Sequence, residues 1–207
     1  MTLDTETEEE TIVEGDCLLA LRDHTPVIVH RARPRDRGEV IAFVGQLSTE
    51  SIELRFCGPA REDAVAREVL GTVGSEERLS LLMETLEEVP RVVGNAEYVR
   101  YRQDPTRAEV AFLVADEFQG RGASTLLLQD LARRARAVGV RWFTAVVLAE
   151  NVVMRDVFLR AGFPYRVVCD GPILLIELDI GRADPPYSDR HATRIGPVAE
   201  LMHAALP

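Results

Sequence analysis

Two mostly apolar runs of strand length, Ala108–Ala115 (AEVAFLVA) and Phe143–Leu148 (FTAVVL), flank a segment of helical periodicity, Ala123–Val138. That segment places Leu127, Leu131, Ala135 and Val138 on one face and Arg133, Arg134 and Arg136 around the others. Strand, helix and strand over about forty residues is a crossover unit. If its strands are parallel, the connection must be right-handed, and their apolar character puts both inside a sheet rather than at its edge. Gly139 stops the helix.

The rest of the chain is arranged around this unit. Leu18–Leu21 and Val27–Arg31, separated by Arg22, Asp23, His24 and Pro26, predict a first hairpin. Val40, Ile41, Val44 and Leu47 recur at helical spacing within Asp36–Leu47, Ser48–Phe56 suits a second short helix, and Arg61–Leu70 a third, closed by Gly71. Leu79–Leu86 and Val92–Tyr101 should pair as a hairpin across a turn at Glu88, Val89 and Pro90. After the second crossover strand, Asn151 can cap a helix whose stripe is Met154, Val157, Phe158 and Ala161, with Gly162 at its end. Pro164–Cys169 and Ile173–Leu178 give a last strand pair. Residues 1–13, acidic and Thr-rich, are expected to be a disordered lead-in. Residues 14–179 form the expected domain, and 180–207 a polar linker with a terminal helix over Ile195–Ala205.

With 207 residues, 46% of them hydrophobic and 28% charged, the chain suits one main globular domain. No apolar run approaches the roughly 20 residues that span a bilayer, and MTLDTETEEE lacks the basic flank and apolar core of a signal peptide, so a cytoplasmic protein with no membrane partner is expected. The net charge of -10 disfavours nucleic acid and favours basic partners. All 24 basic residues are arginine, so the chain has no lysine of its own to modify. Cys17, Cys57 and Cys169 lie far apart with no metal-ligand spacing, which predicts buried reduced thiols and no metal site.

The informative loop is Phe118–Thr125 (FQGRGAST), between a buried strand and a helix start. Consecutive backbone N–H groups and the positive end of the helix suit a pyrophosphate, and Gly120 and Gly122 let a ligand approach closely. A Walker loop is excluded by the absence of lysine. A dinucleotide fingerprint would want a third small residue where Thr125 stands, although Glu150 could serve as its ribose-binding acid.

Gln119, Gly122 and Ser124 resemble the acetyl-CoA signature of GNAT acyltransferases, Gln/Arg-x-x-Gly-x-Gly/Ala, with Ser124 in place of the usual Gly or Ala. Asn151, Phe158, Gly162 and Phe163 resemble a second block, in which Phe158 replaces a tyrosine that protonates the departing thiolate in many relatives. LSTESIELRF (47–56), AEVAFLVADEFQGRG (108–122) and LAENVVMRDVFLRAGF (148–163) are similar to bacterial Pat-type protein lysine acetyltransferases. The resemblance covers about residues 16–178. It implies an α/β (α+β) GNAT fold: a mixed, mostly antiparallel twisted sheet of about seven strands with a splayed parallel pair, flanked by helices. It also implies acetyl-CoA as cosubstrate and a lysine side chain of a protein as acceptor, with acyl-CoA synthetases as the family's targets.

A lysine amine, with pKa about 10.4, is neutral in only about one molecule in several thousand at pH 7, a handicap of roughly 4 to 5 kcal/mol. The resemblance makes Glu109 the general base, with Glu97, Asp116 and Glu117 as fallbacks; from its strand alone Glu109 reads more readily as an exposed, solvated carboxylate. It gives main-chain groups of Phe112, Leu113 and Val114 the pantetheine arm and the carbonyl oxyanion, and the amides of Gln119, Gly120, Arg121, Gly122, Ala123 and Ser124 the pyrophosphate. Asn151 is a helix cap and, in the family, a partner of the pantetheine amide. Met154 and Phe158 line the wall near the thiol or simply belong to the core. Two other functions fit the same chain: acetylation of a small amine, and a CoA-binding module without catalysis.

Overall fold

The computed structural model describes residues 16–71, 77–182 and 194–197. Strands β1 (Cys17–Ala20) and β2 (Pro26–Arg31) form the first hairpin. Helices α1 (Arg37–Val44), α2 (Thr49–Phe56) and α3 (Glu62–Gly71) follow. Next come the meander β3 (Arg78–Thr85), β4 (Val92–Arg100) and β5 (Arg107–Val114), then α4 (Ala123–Ala137) and β6 (Trp142–Leu148). Helix α5 (Val152–Arg160) and the hairpin β7 (Tyr165–Asp170) and β8 (Ile173–Asp179) complete the expected order.

The described residues form a sheet of nine strands in the order β7-β8-β6-β5-β4-β3-β2-β1-β9. Of these pairings β5–β6 is the parallel one, as the crossover unit requires. The count exceeds the expected seven or so because all eight strand stretches read from the sequence join one sheet and β9 (Arg194–Pro197) adds a ninth at the outer edge of β1. A helix was expected to begin there, at Ile195. The unpaired backbone of β1 offers partners that outweigh a short amphipathic pattern. The expected lead-in, and residues 198–205 of the expected tail helix, lie outside the described residues.

Side-chain alternation sorts the helices onto the two faces. In β4, Gly94 pairs with Val114 of β5 and faces α4: a Cβ on Gly94 would lie 3.1 Å from Leu127 Cδ1 and 3.4 Å from Met83 Cβ, so glycine lets the helix seat closely on the sheet. Phe112 of β5 points the same way and meets Phe158 of α5 edge to face, with ring centroids 5.7 Å apart. The neighbouring positions Glu97, Ala111 and Glu109 face the other side, where the last turn of α2 reaches Glu97 through Arg55. The core runs through Leu81, Leu82, Phe143 and Ile176 of the strands and Leu127 and Leu131 of α4. Of the three cysteines, only Cys17 is buried; Cys57 is half-buried and Cys169 exposed, because Cys169 sits on the edge strand β7, every residue of which is exposed. Among the described residues no helix is long and apolar enough to cross a membrane.

Candidate active site

Strands β5 and β6 stay in register for three pairs, Arg107↔Trp142, Ala108↔Phe143 and Glu109↔Thr144, and then part. Beyond Glu109 the β5 backbone continues to Val114 bonded to β4 but with no β6 partner. The gap opens into a cleft of about 1190 Å³, walled by Val110–Val114, Ala145–Val147, the start of α4, α5 and the length of α2. Glu109 therefore stands at the point where the strands separate. Its side chain is exposed and lines the cleft, while its neighbours Ala108 and Val110 are buried on the other face.

At the mouth of the cleft the chain turns from β5 into α4. Gly120 (φ 73) and Gly122 (φ 91), the N-cap, are both left-handed, which lets the loop fold back on itself before the helix starts. Leu126 N–H closes the first helical bond to the Gly122 carbonyl at 3.1 Å, so the amides of the first turn have no acceptor within the helix. Gly122 has no side chain to cap them, and no carboxylate stands in that turn. A Cβ at Gly120 would meet no atom within 4 Å. This is a cradle open to an anion, and it fits a diphosphate.

Two sets of contacts hold the loop from outside. The Arg22 amide in the β1–β2 turn donates to the Arg121 carbonyl at 3.0 Å, while the Arg121 guanidinium lies over the Phe118 ring and 3.2 Å from Asp23. The Thr25 hydroxyl and amide bonded to Asp23, with Arg121 nearby, lower the Asp23 pKa. On the other side the Asp116 carboxylate accepts from the Ser48 amide (2.9 Å), the Ser51 hydroxyl (2.5 Å) and the Gln119 side-chain amide (3.1 Å). Ser48 is the N-cap of α2, so this network fastens the start of that helix to the loop.

At its other end α2 carries Arg55 into the cleft. Nη2 of Arg55 lies 2.5 Å from Glu97 Oε1 and 3.3 Å from Glu68 Oε1. Glu97 is 3% exposed, its second oxygen has no hydrogen-bond partner, and burial, reinforced by Glu68 and opposed by Arg55, raises its pKa. The Asn151 side chain accepts from the Met154 amide at 3.0 Å and so caps α5. Met154 and Phe158 both border the cleft, Phe158 being otherwise buried. No tyrosine lines the cleft among the described residues.

The residues picked out from the sequence for cofactor contact or catalysis border this one cleft, except the fallback bases Glu97 and Glu117 and Arg121, whose side chain is turned toward Asp23 and Phe118. Among the fallback bases, Glu97 lies behind Arg55, Asp116 is held in the α2 network, and Glu117 pairs with Arg91 at 3.0 Å. Sequence reasoning missed Arg55 and the link from Asp116 to Ser48 and Ser51. The latter contacts span 65 to 68 positions, and the only local hint is the helix-cap pattern of Ser48.

A sequence model of the Acetyltransferase (GNAT) family matches residues 47–163. Acetyltransferase Pat of Mycolicibacterium smegmatis is 32% identical over 139 residues, which is 67% of this chain and 41% of that protein. Acetyltransferase PA5475 of Pseudomonas aeruginosa is 29% identical over 154 residues, 73% of this chain and 82% of that one. The solved GNAT domain of S. lividans PAT superposes with a TM-score of 0.70 at 29% identity, covering 79% of this chain and 96% of that domain. The chain thus spans less than half the length of the mycobacterial relative but nearly all of the isolated domain.

Proposed function

We propose that this chain, which belongs to the GNAT acetyltransferase family and is an acetyl-CoA-dependent N-acetyltransferase, takes as acceptor the lysine side chain of a protein, with Glu109 as general base. The observation that carries the reading is the parting of β5 and β6 immediately after Glu109, in a cleft whose mouth is the glycine cradle at the start of α4.

The residues divide the work as follows. The first-turn amides of α4, from Ala123 onward, and the loop amides from Gly120 to Gly122 hold the diphosphate, the Gln119 amide being donated to the Asp116 carbonyl at 3.2 Å. Backbone groups of Phe112–Val114 that face the gap bind the pantetheine arm as a neighbouring strand would, and one N–H there steadies the carbonyl oxygen as it gains charge. Asn151 caps α5 and turns its remaining hydrogen-bonding capacity toward the pantetheine amide. Met154 and Phe158 make the wall beside the thioester apolar and dry. Glu109, at the apex of the gap, removes the ammonium proton so that the neutral amine attacks the thioester carbonyl. Phe158 offers no proton to the departing sulfur. A thiolate of ordinary pKa, about 8.5, can leave unaided and pick up its proton from water.

Relatedness to Pat acetyltransferases supports a protein acceptor, for which acyl-CoA synthetases in the cytoplasm are the candidates. The test is Glu109→Gln assayed by thiol release and by intact mass of a lysine-bearing acceptor. At pH 7 the rate should fall about 10²- to 10⁴-fold and recover in part as pH approaches the lysine pKa, with acetyl-CoA binding retained. An unchanged rate at neutral pH would remove Glu109 from the chemistry.

A further inference from the structure

Among the described residues, the face of the sheet that carries Glu109 is covered at Thr144 of β6, near α2, and becomes more exposed from Val146 outward over β8 and β7. On the opposite face, under α4 and α5, Phe143, Ala145 and Val147 of β6 and Leu174, Ile176 and Leu178 of β8 are buried. The alternate positions form an apolar row across three strands: Val146 of β6 pairs with Leu175 of β8, which pairs with Val168 of β7. Val146 is 41% exposed and Val168 40%, with Leu175 half-buried between them. The next row, Leu148, Ile173 and Asp170, is half-buried in its first two members and ends in an exposed carboxylate.

This row is continuous with the cleft, because Val146 belongs to both. At a strand spacing of about 4.8 Å it carries the apolar surface roughly 10 Å outward from β6. It ends at β7, the last strand of the sheet, whose outer edge is unpaired among the described residues and whose six residues are all exposed. Exposed apolar side chains beside a free strand edge are a surface that folded chains usually cover.

The occupant can be read from this setting. A small amine would fill the cleft and never reach Leu175 or Val168. An extended polypeptide would use all three features: apolar side chains on the row, backbone groups along β7, and basic groups opposite Glu50 and Glu109 in the cleft and Asp170 at the rim. The chain's net charge of -10 favours the same partner. Resting on the reading that Glu109 receives a lysine proton, we infer that the Val146–Leu175–Val168 row is the docking surface for an extended, lysine-bearing acceptor segment with apolar flanks.

Three acceptors test this: a short peptide with one lysine flanked by leucine and arginine, the same peptide with serine for leucine, and Nα-acetyl-lysine amide. Val168→Glu and Leu175→Glu should each raise KM for the leucine peptide about tenfold at unchanged kcat, leaving the serine peptide and the lysine amide as they were. Fluorescence anisotropy of the labelled leucine peptide should show the same loss of binding. Equal KM in variants and parent would overturn the inference, as would a parallel loss on the lysine amide, which would assign the row to the fold. A dimer of the parent chain, seen by light scattering and broken by Val168→Glu, would give the surface to a second copy instead. Should peptide binding depend on Val168 and Leu175 while no acetylated product forms, the docking surface stands and the lysine-acetyltransferase reading falls.

Discussion

Nη2 of Arg55 sits 2.5 Å from Oε1 of Glu97, joining the last turn of α2 to the middle of β4 at the back of the cleft. A carboxylate so deeply buried is tolerable only while its partner is present. Arg55→Ala should therefore destabilise the fold by about 3 kcal/mol, and Glu97→Gln by clearly less, as measured by urea unfolding. The pH dependence has a fixed sign. Burial raises the Glu97 pKa above its ordinary 4.5, so the folded chain holds this proton more tightly than the unfolded one. The resulting stability is complete below pH 4.5 and is lost as pH rises through the folded value, and Glu97→Gln should flatten that decline.

A second buried pair gives the same sign through a base. His30, 4% exposed, lies 3.0 Å from Glu84 through Nε2, donates from Nδ1 to the Arg31 carbonyl at 3.0 Å, and has Asp36 nearby. Burial opposes the charged ring, but the Glu84 hydrogen bond, the Arg31 carbonyl and the two carboxylate charges outweigh it and raise the pKa above 6.5. Stability from this pair is fully present below pH 6.5 and is lost as pH rises through the folded value. The stability gap between parent and His30→Gln should narrow over that range, with the His30 ring titration followed by NMR.

Gly120 tests the cradle itself. Its φ of 73 is strained for alanine by about 1 kcal/mol, and a Cβ there would meet no protein atom within 4 Å. Gly120→Ala should thus lower the melting temperature only modestly. It should raise KM for acetyl-CoA about tenfold if, as proposed, the diphosphate sits in the space that the added methyl would enter. Steady-state kinetics beside a thermal melt separate the two effects.

Asp116 is where the loop and α2 are joined, through Ser48, Ser51 and Gln119. Asp116→Ala should release the start of α2, increasing hydrogen exchange at the amides of Thr49–Phe56 while those of α4 beyond its first turn stay protected. Asn at this position keeps an acceptor oxygen and should restore part of the protection.

The crossover unit, the three hairpins β1–β2, β3–β4 and β7–β8 and the order of all five helices were legible because each has a period or a stop signal within a few residues: Leu127 and Leu131 mark the α4 face, Gly139 its end, and Asn151 the α5 cap. Glu109 could be singled out only through its family motif. What places it is the end of the β5–β6 ladder at Thr144, a relationship across 35 positions that no local pattern encodes. Arg55 was hidden for the same reason, its partner Glu97 lying 42 positions away. The strand at Arg194–Pro197 was misjudged because a four-residue pattern has little preference of its own and takes the structure of the edge it meets.

Acetyl-CoA binding through a diphosphate at the start of α4 is the step on which every proposed role of the cleft depends. Titration calorimetry of the full chain with acetyl-CoA and with acetyl-pantetheine, which lacks that group, measures this directly. Saturable binding of acetyl-CoA, with acetyl-pantetheine weaker by about a hundredfold or more, is the predicted result, corresponding to about 2.7 kcal/mol for the contacts of the diphosphate and the nucleoside together. No heat from acetyl-CoA, or equal affinity for the two, would contradict it.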